Sequence, residues 1–155
     1  MNGTAVEIGR VSSERGSSVG VAESCTGGLV AAALTEVPGA SRWFKGGVVS
    51  YSEDIKVSVL GVPRALLERV GAVSADVAEA MACGARRVLG VDVAVSVTGL
   101  AGPDGDGVHD VGTVFIGYAA DGNQGADEYH FKGDRGSVRT QARDAALKVM
   151  LRLLS

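Results

Sequence analysis

A single-domain, three-layer α/β/α fold with a mixed sheet is what this sequence predicts, and three observations carry that reading. Short apolar, β-branched runs alternate with longer stretches of helical periodicity. Several of those runs end in polar, glycine-rich segments, as strands of open α/β sheets do where ligands bind. Two later runs flank the turn Asp121-Gly122-Asn123, which predicts an antiparallel hairpin beside otherwise parallel strands. The 155 residues suit one domain over positions 1–155.

Each element has a local reason. Thr4 to Glu14 places Ala5, Ile8 and Val11 on one side of a short opening helix that Gly16-Ser17-Ser18 ends. Ser18 to Ala22 reads as a strand, and Gly27-Gly28 leads into the helix former Leu29 to Leu34. Gly46 to Tyr51 is the next strand, followed by a helix that Ser52-Glu53-Asp54 caps and that carries Ile55, Lys56, Val59 and Leu60. Pro63 suits the first turn of a helix through Val70, and Ser74 opens a longer one with Val77, Met81, Ala85 and Val88 on one face. Val91 to Thr98 is almost wholly apolar, as a strand buried on both faces must be. Thr113 to Ala119 and Glu128 to Phe131 form the hairpin strands, and Asp134 to Leu154 closes the chain as a helix with Val138, Ala142, Ala145, Val149 and Leu153 in its apolar stripe.

Composition narrows the function. Apolar residues make up 46% and charged residues 21%, so the chain has the means to build a core. A formal charge of -3 offers no footprint for a polyanion, and nucleic acid is not an expected partner. No apolar stretch nears the roughly 20 residues that span a bilayer, and Met1 to Arg10 lacks a leader pattern, so a cytoplasmic protein without membrane partners is expected. Cys25 and Cys83 form no C-x-x-C pair and read as reduced thiols.

Three segments can carry chemistry: Ala22 to Gly28, Ser50 to Lys56, and Thr98 to Pro103. If their strands are parallel neighbours, all three converge on one pocket. Ser24, Thr26, Gly27 and Gly28 precede a helix, where hydroxyls and backbone donors either bind an anion or merely cap the helix. Lys56 is either a solvated surface residue or the base that a nucleophilic serine requires. Tyr51 either relays a proton or packs in the core. Cys25 is a rival nucleophile or a small buried filler. Asp104, Asp106, His109 and Asp110 match no calcium or zinc pattern and read as an acidic surface turn, so no metal is expected. Arg135 and Arg139, four apart on the last helix, could clamp a phosphate or carboxylate, or simply face solvent. Gly99-x-x-Gly102 lacks the rest of the dinucleotide fingerprint.

Taken in order, Ala22-Glu23-Ser24-Cys25-Thr26-Gly27-Gly28, Gly46 to Ser52, Lys56, Thr98-Gly99-Leu100-Ala101-Gly102-Pro103, Val111-Gly112-Thr113-Val114 and Gly133-Asp134-Arg135 with Arg139 resemble the CinA C-terminal domain family over nearly the whole chain. The resemblance implies hydrolysis of nicotinamide mononucleotide to nicotinate mononucleotide and ammonia, in pyridine nucleotide recycling. It implies Ser24 as nucleophile, Lys56 as its base, Tyr51 nearby, and the Thr26 to Gly28 and Thr98 to Gly102 loops holding the nucleotide. No cofactor is implied, and a homodimer is. A non-catalytic nucleotide-binding or regulatory module of the competence-damage-inducible type is the alternative within the same fold. Two departures from the family pattern stand out: His109-Asp110 replaces its Lys-Pro, and Asp104-Gly105-Asp106 interrupts its glycine run. The larger N-terminal domain of full-length relatives is expected to be absent.

Overall fold

The computed structural model describes residues 1–155 as a five-stranded mixed sheet covered by helices on both faces. The strands are β1 (Val19–Glu23), β2 (Phe44–Val49), β3 (Val93–Gly99), β4 (Thr113–Ala120) and β5 (Asn123–His130), in the spatial order β2-β1-β3-β4-β5. β1 runs parallel to both β2 and β3, while β4 and β5 are antiparallel additions. The expected mixed three-layer architecture is therefore present. On one face pack α1 (Gly3–Arg15), α2 (Leu29–Thr35) and α6 (Arg135–Leu154). On the other lies α5 (Ala75–Leu89), joined by α4 (Arg64–Val70), with the short α3 (Glu53–Ser58) between β2 and α4.

Two apolar cores explain why the layers hold. Ile8, Val21, Leu34, Val95, Ile116 and Met150 belong to the core under α1, α2 and α6. Leu60, Val77, Met81, Ala85 and Ala94 belong to the one under α5. Burying such surface is the main favourable term in folding. Gly84 matters to the second core because a Cβ there would stand 2.0 Å from the Leu60 carbonyl oxygen. Only a glycine lets α5 pass this close beneath the turn that follows α3.

Several boundaries differ from the sequence expectation. β5 begins at Asn123 rather than Glu128, because it is an edge strand that opens on the exposed polar Asn123 and Gln124 and carries little apolar signal, yet still pairs Gly125 with Tyr118 and Asp127 with Ile116. The turn of the hairpin is correspondingly confined to Asp121 and Gly122. β2 ends at Val49, before Ser50 and Tyr51, because the chain turns there into α3, whose start Ser52 caps by accepting from the Ile55 amide. Ile55, Val59 and Val88, expected on apolar helix faces, are exposed. A short 3-10 turn, Ala40–Arg42, was not expected; it delivers Trp43 into the first core.

The register fixes what matters for function. Glu23, the last residue of β1, lies between Val49 of β2 and Val97 of β3. The loops that start at Ser24, Ser50 and Leu100 therefore rise side by side from the carboxyl edge of three parallel strands, as the sequence reading required.

Candidate active site

Ser24 is held by its backbone. Its N–H donates to the Val97 carbonyl at 2.9 Å, and its own carbonyl accepts from the Gly27 amide at 3.1 Å. Behind it, the Glu23 carbonyl accepts from the Ser50 amide at 2.8 Å, tying the serine loop to the segment that precedes α3. The amides of Cys25 and Thr26 donate to no carbonyl.

Lys56 comes to this loop from the last turn of α3 and is among the largest fully buried side chains, 2% exposed. Its Nζ donates to the Ser50 carbonyl at 2.6 Å and to the Tyr51 carbonyl at 3.4 Å, and lies 3.0 Å from Ser24 Oγ. Burial lowers its pKa from the ordinary lysine value, against the opposing pull of the Glu53 carboxylate. The three acceptors match the three donors of a lysine ammonium, and the same geometry admits the neutral amine. Such an amine has two N–H donors, which the two carbonyls occupy, and one lone pair, which is left for the Ser24 hydroxyl proton. Of the two readings the sequence left open for Lys56, the solvated surface residue is excluded.

Cys25 is buried beside Ser24, and burial pushes its thiol up to about 11, so at neutral pH it is not a thiolate. The small-filler reading fits it. Tyr51 is 63% exposed and is not core; its hydroxyl accepts from the Arg135 guanidinium at 3.2 Å, and only its carbonyl touches Lys56.

Glu23 is the residue beside the site for which the sequence reading offered no role. Its carboxylate is 1% exposed and accepts from the amides of Gly28, Val30 and Ala31 at 3.0 to 3.2 Å. It thus fills the amino end of α2 from inside the protein, satisfying donors that would otherwise attract an external anion. The signal was available: an acidic residue closing an apolar strand must find partners when buried.

A cleft of ≈ 270 Å³ opens over the pair and is lined by Ser24, Lys56, Thr98, Gly99, Asp104 and Arg135, among others. Tyr51 and Gly102 also line it, whereas Thr26, Gly27, Gly28 and Arg139 do not. Arg139 instead donates from Nε to the Cys25 carbonyl at 3.0 Å and from its terminal nitrogen to the Thr26 carbonyl at 3.1 Å. Arg135 stands exposed at the rim, donating to the Gly102 carbonyl at 2.6 Å and to Tyr51. Thr98 is turned away through its hydroxyl, which donates to the Ala72 carbonyl at 2.8 Å, so its contribution to the wall is not a free hydroxyl. Asp106 accepts from the Val108 and His109 amides, consistent with the acidic-turn reading of that loop.

A mixed α/β sheet whose parallel strand ends bring Ser24 against the buried Lys56 beneath an open cleft defines the chain as a single α/β domain with one candidate site at its carboxyl edge. Residues 2–154 match the family model of the CinA C-terminal domain, and the chain belongs to that family. It is 48% identical over 149 residues to the nicotinamide-nucleotide amidohydrolase PncC of Enterobacter agglomerans, covering 95% of this chain and 91% of that protein. It is 49% identical over 134 residues to a CinA-like protein of Geobacter metallireducens, covering 86% of this chain but only 32% of that one. The chain thus spans about a third of the length of several CinA-like relatives, 36% in the case of Geobacter sulfurreducens. Among solved structures, the competence/damage inducible protein CihA of Agrobacterium tumefaciens superposes with a TM-score of 0.92 at 36% identity, over 100% of this chain and 98% of that one. A CinA superfamily protein of Escherichia coli gives 0.93 at 32% identity, over 97% and 88%.

Proposed function

We propose that this protein is a nicotinamide-nucleotide amidohydrolase, converting nicotinamide mononucleotide and water to nicotinate mononucleotide and ammonia in pyridine nucleotide recycling. The single observation that carries the reading is the contact between Ser24 Oγ and the desolvated Lys56 Nζ. The full-length match to an amidohydrolase of this name supports the choice of substrate.

In this mechanism Lys56, neutral, takes the Ser24 proton as Oγ attacks the carboxamide carbon. The negative charge that develops on the amide oxygen is met by backbone donors. Within the serine loop the Ser24 amide is already committed to Val97, and Thr26 does not line the cleft, which leaves the amide of Cys25. Lys56 then gives its proton to the departing nitrogen, ammonia leaves, and an ester joins Ser24 to the nicotinoyl group. Water, activated by the again neutral Lys56, attacks that ester and releases the carboxylate. The substrate phosphate is directed to Arg135, the guanidinium lining the cleft, because the amide of Gly28 is taken by Glu23 and that of Gly27 by Ser24.

The test is incubation of purified protein with nicotinamide mononucleotide, following ammonia and nicotinate mononucleotide together. Equimolar release of both supports the reading. Binding of the mononucleotide without release of either would replace it with a nucleotide-binding regulatory module.

A further inference from the structure

Both arginines of the first turns of α6 reach toward the candidate site, but they end in different places. Arg135 reaches the rim of the cleft, whereas the Arg139 guanidinium is spent on two consecutive backbone carbonyls of the loop itself, those of Cys25 and Thr26. The fit is close. A Cβ on Gly27 would stand 3.3 Å from the terminal nitrogen of Arg139, and Gly27 has a φ of +58°, a conformation that favours glycine.

The Cys25 amide, on the one residue of this pair that lines the cleft, terminates a chain of polarised peptide groups that begins at this guanidinium. Arg139 Nε donates to the Cys25 carbonyl and fixes the loop. The Arg139 terminal nitrogen donates to the Thr26 carbonyl, whose peptide carries the Gly27 N–H; that amide donates to the Ser24 carbonyl, whose peptide carries the Cys25 N–H. Each bond draws electron density toward the cation and strengthens the donor at the far end of the same peptide. The substrate would meet this donor and never the arginine.

We infer that Arg139 is a positioning residue for the reaction, which holds the serine loop and polarises the Cys25 amide as a donor to the developing oxyanion, and that it does not bind the substrate's phosphate. This rests on the amidase reading above. It predicts a loss in the chemical step with binding preserved. Direct loss of one oxyanion donor costs about 10²–10³ in turnover, and an indirect one should cost less, about 10 to 100-fold.

The experiment compares Arg139→Gln and Arg139→Lys with wild type on nicotinamide mononucleotide and on nicotinamide riboside, with melting temperatures as a check on folding. The expected result is a fall in kcat of about 10 to 100-fold for Arg139→Gln, equal on both substrates, with KM for the mononucleotide within about twofold of wild type. Arg139→Lys, which keeps a cation but cannot bridge both carbonyls, should fall between, and it serves if the Gln variant does not fold. A loss confined to the mononucleotide and expressed in KM would make Arg139 a phosphate ligand and overturn the inference, as would unchanged kcat. Should the wild type release no ammonia from either substrate, the amidase reading fails by itself. The inference is then read from the amide proton resonance of Cys25, which should move upfield in the variants; an unmoved resonance would overturn it.

Discussion

Lys56 Nζ lies 3.0 Å from Ser24 Oγ although 32 residues separate them in the chain. The contact exists because β1 and β2 are parallel neighbours, so the loops that follow them emerge at one edge. The buried Lys56 amine also contacts the Ser50 and Tyr51 carbonyls, so its position against the Ser24 hydroxyl is fixed.

Replacing Ser24 with Ala should lower turnover of nicotinamide mononucleotide by about 10³-fold or more while leaving the melting temperature nearly unchanged, since the hydroxyl is not part of the apolar core. Cys25→Ala should keep most activity, because the high thiol pKa leaves no thiolate to react. Activity lost in Cys25→Ala and retained in Ser24→Ala would reverse the assignment.

The pH dependence of Lys56 has a definite sign. Its folded pKa lies below the unfolded value near 10.5, so the unfolded chain holds the extra proton between the two, and stability must rise with pH across that window. Activity rises in the same direction, since only the neutral amine is a base. Lys56→Met should be inactive and should lack this contribution to the slope of melting temperature against pH. Lys56→Arg should not restore turnover, because a guanidinium stays charged. Parallel pH titrations of rate and melting temperature check both points.

Glu23→Gln sets an amide NH2 where a carboxylate oxygen accepts from Gly28, Val30 and Ala31. At least one buried donor then loses its partner, at a cost of about 1–3 kcal/mol. Chemical denaturation should show that loss, and kcat should fall with it, because the same loop carries Ser24. Wild-type stability in this variant would mean that water replaces the carboxylate freely.

Arg135→Ala should raise KM for nicotinamide mononucleotide by about tenfold and leave the riboside unaffected, the loss expected for one charge-assisted hydrogen bond at an exposed rim. Asp104→Asn should act oppositely, lowering KM, because its carboxylate lines the same cleft and repels a phosphate. Both effects should shrink as salt is raised. KM values that ignore both changes would place the phosphate elsewhere.

The sequence by itself determined the class of fold and marked the candidate residues for chemistry. Apolar runs such as Val93 to Val97 and stripes such as Val77, Met81 and Ala85 are local patterns tied to strand and helix periods, so they were legible without tertiary knowledge. The serine loop and Lys56 were legible as candidates for the same reason: each follows a strand with the residue types that such junctions need. What only the tertiary structure decided was partnership. β5 could not be bounded from its residues, because an edge strand with polar side chains is defined by the ladder it makes to β4. Tyr51 and Val88 were not identifiable as exposed, since burial depends on what the rest of the chain lays over a residue. Arg135 and Arg139 are equivalent on a helical wheel, yet one ends at the cleft rim and the other on the carbonyls of Cys25 and Thr26. A hydrogen bond or a lowered pKa belongs to two groups and the space between them, and for Ser24 and Lys56, as for Glu23 and the start of α2, that space is set only when three parallel strands bring their ends together.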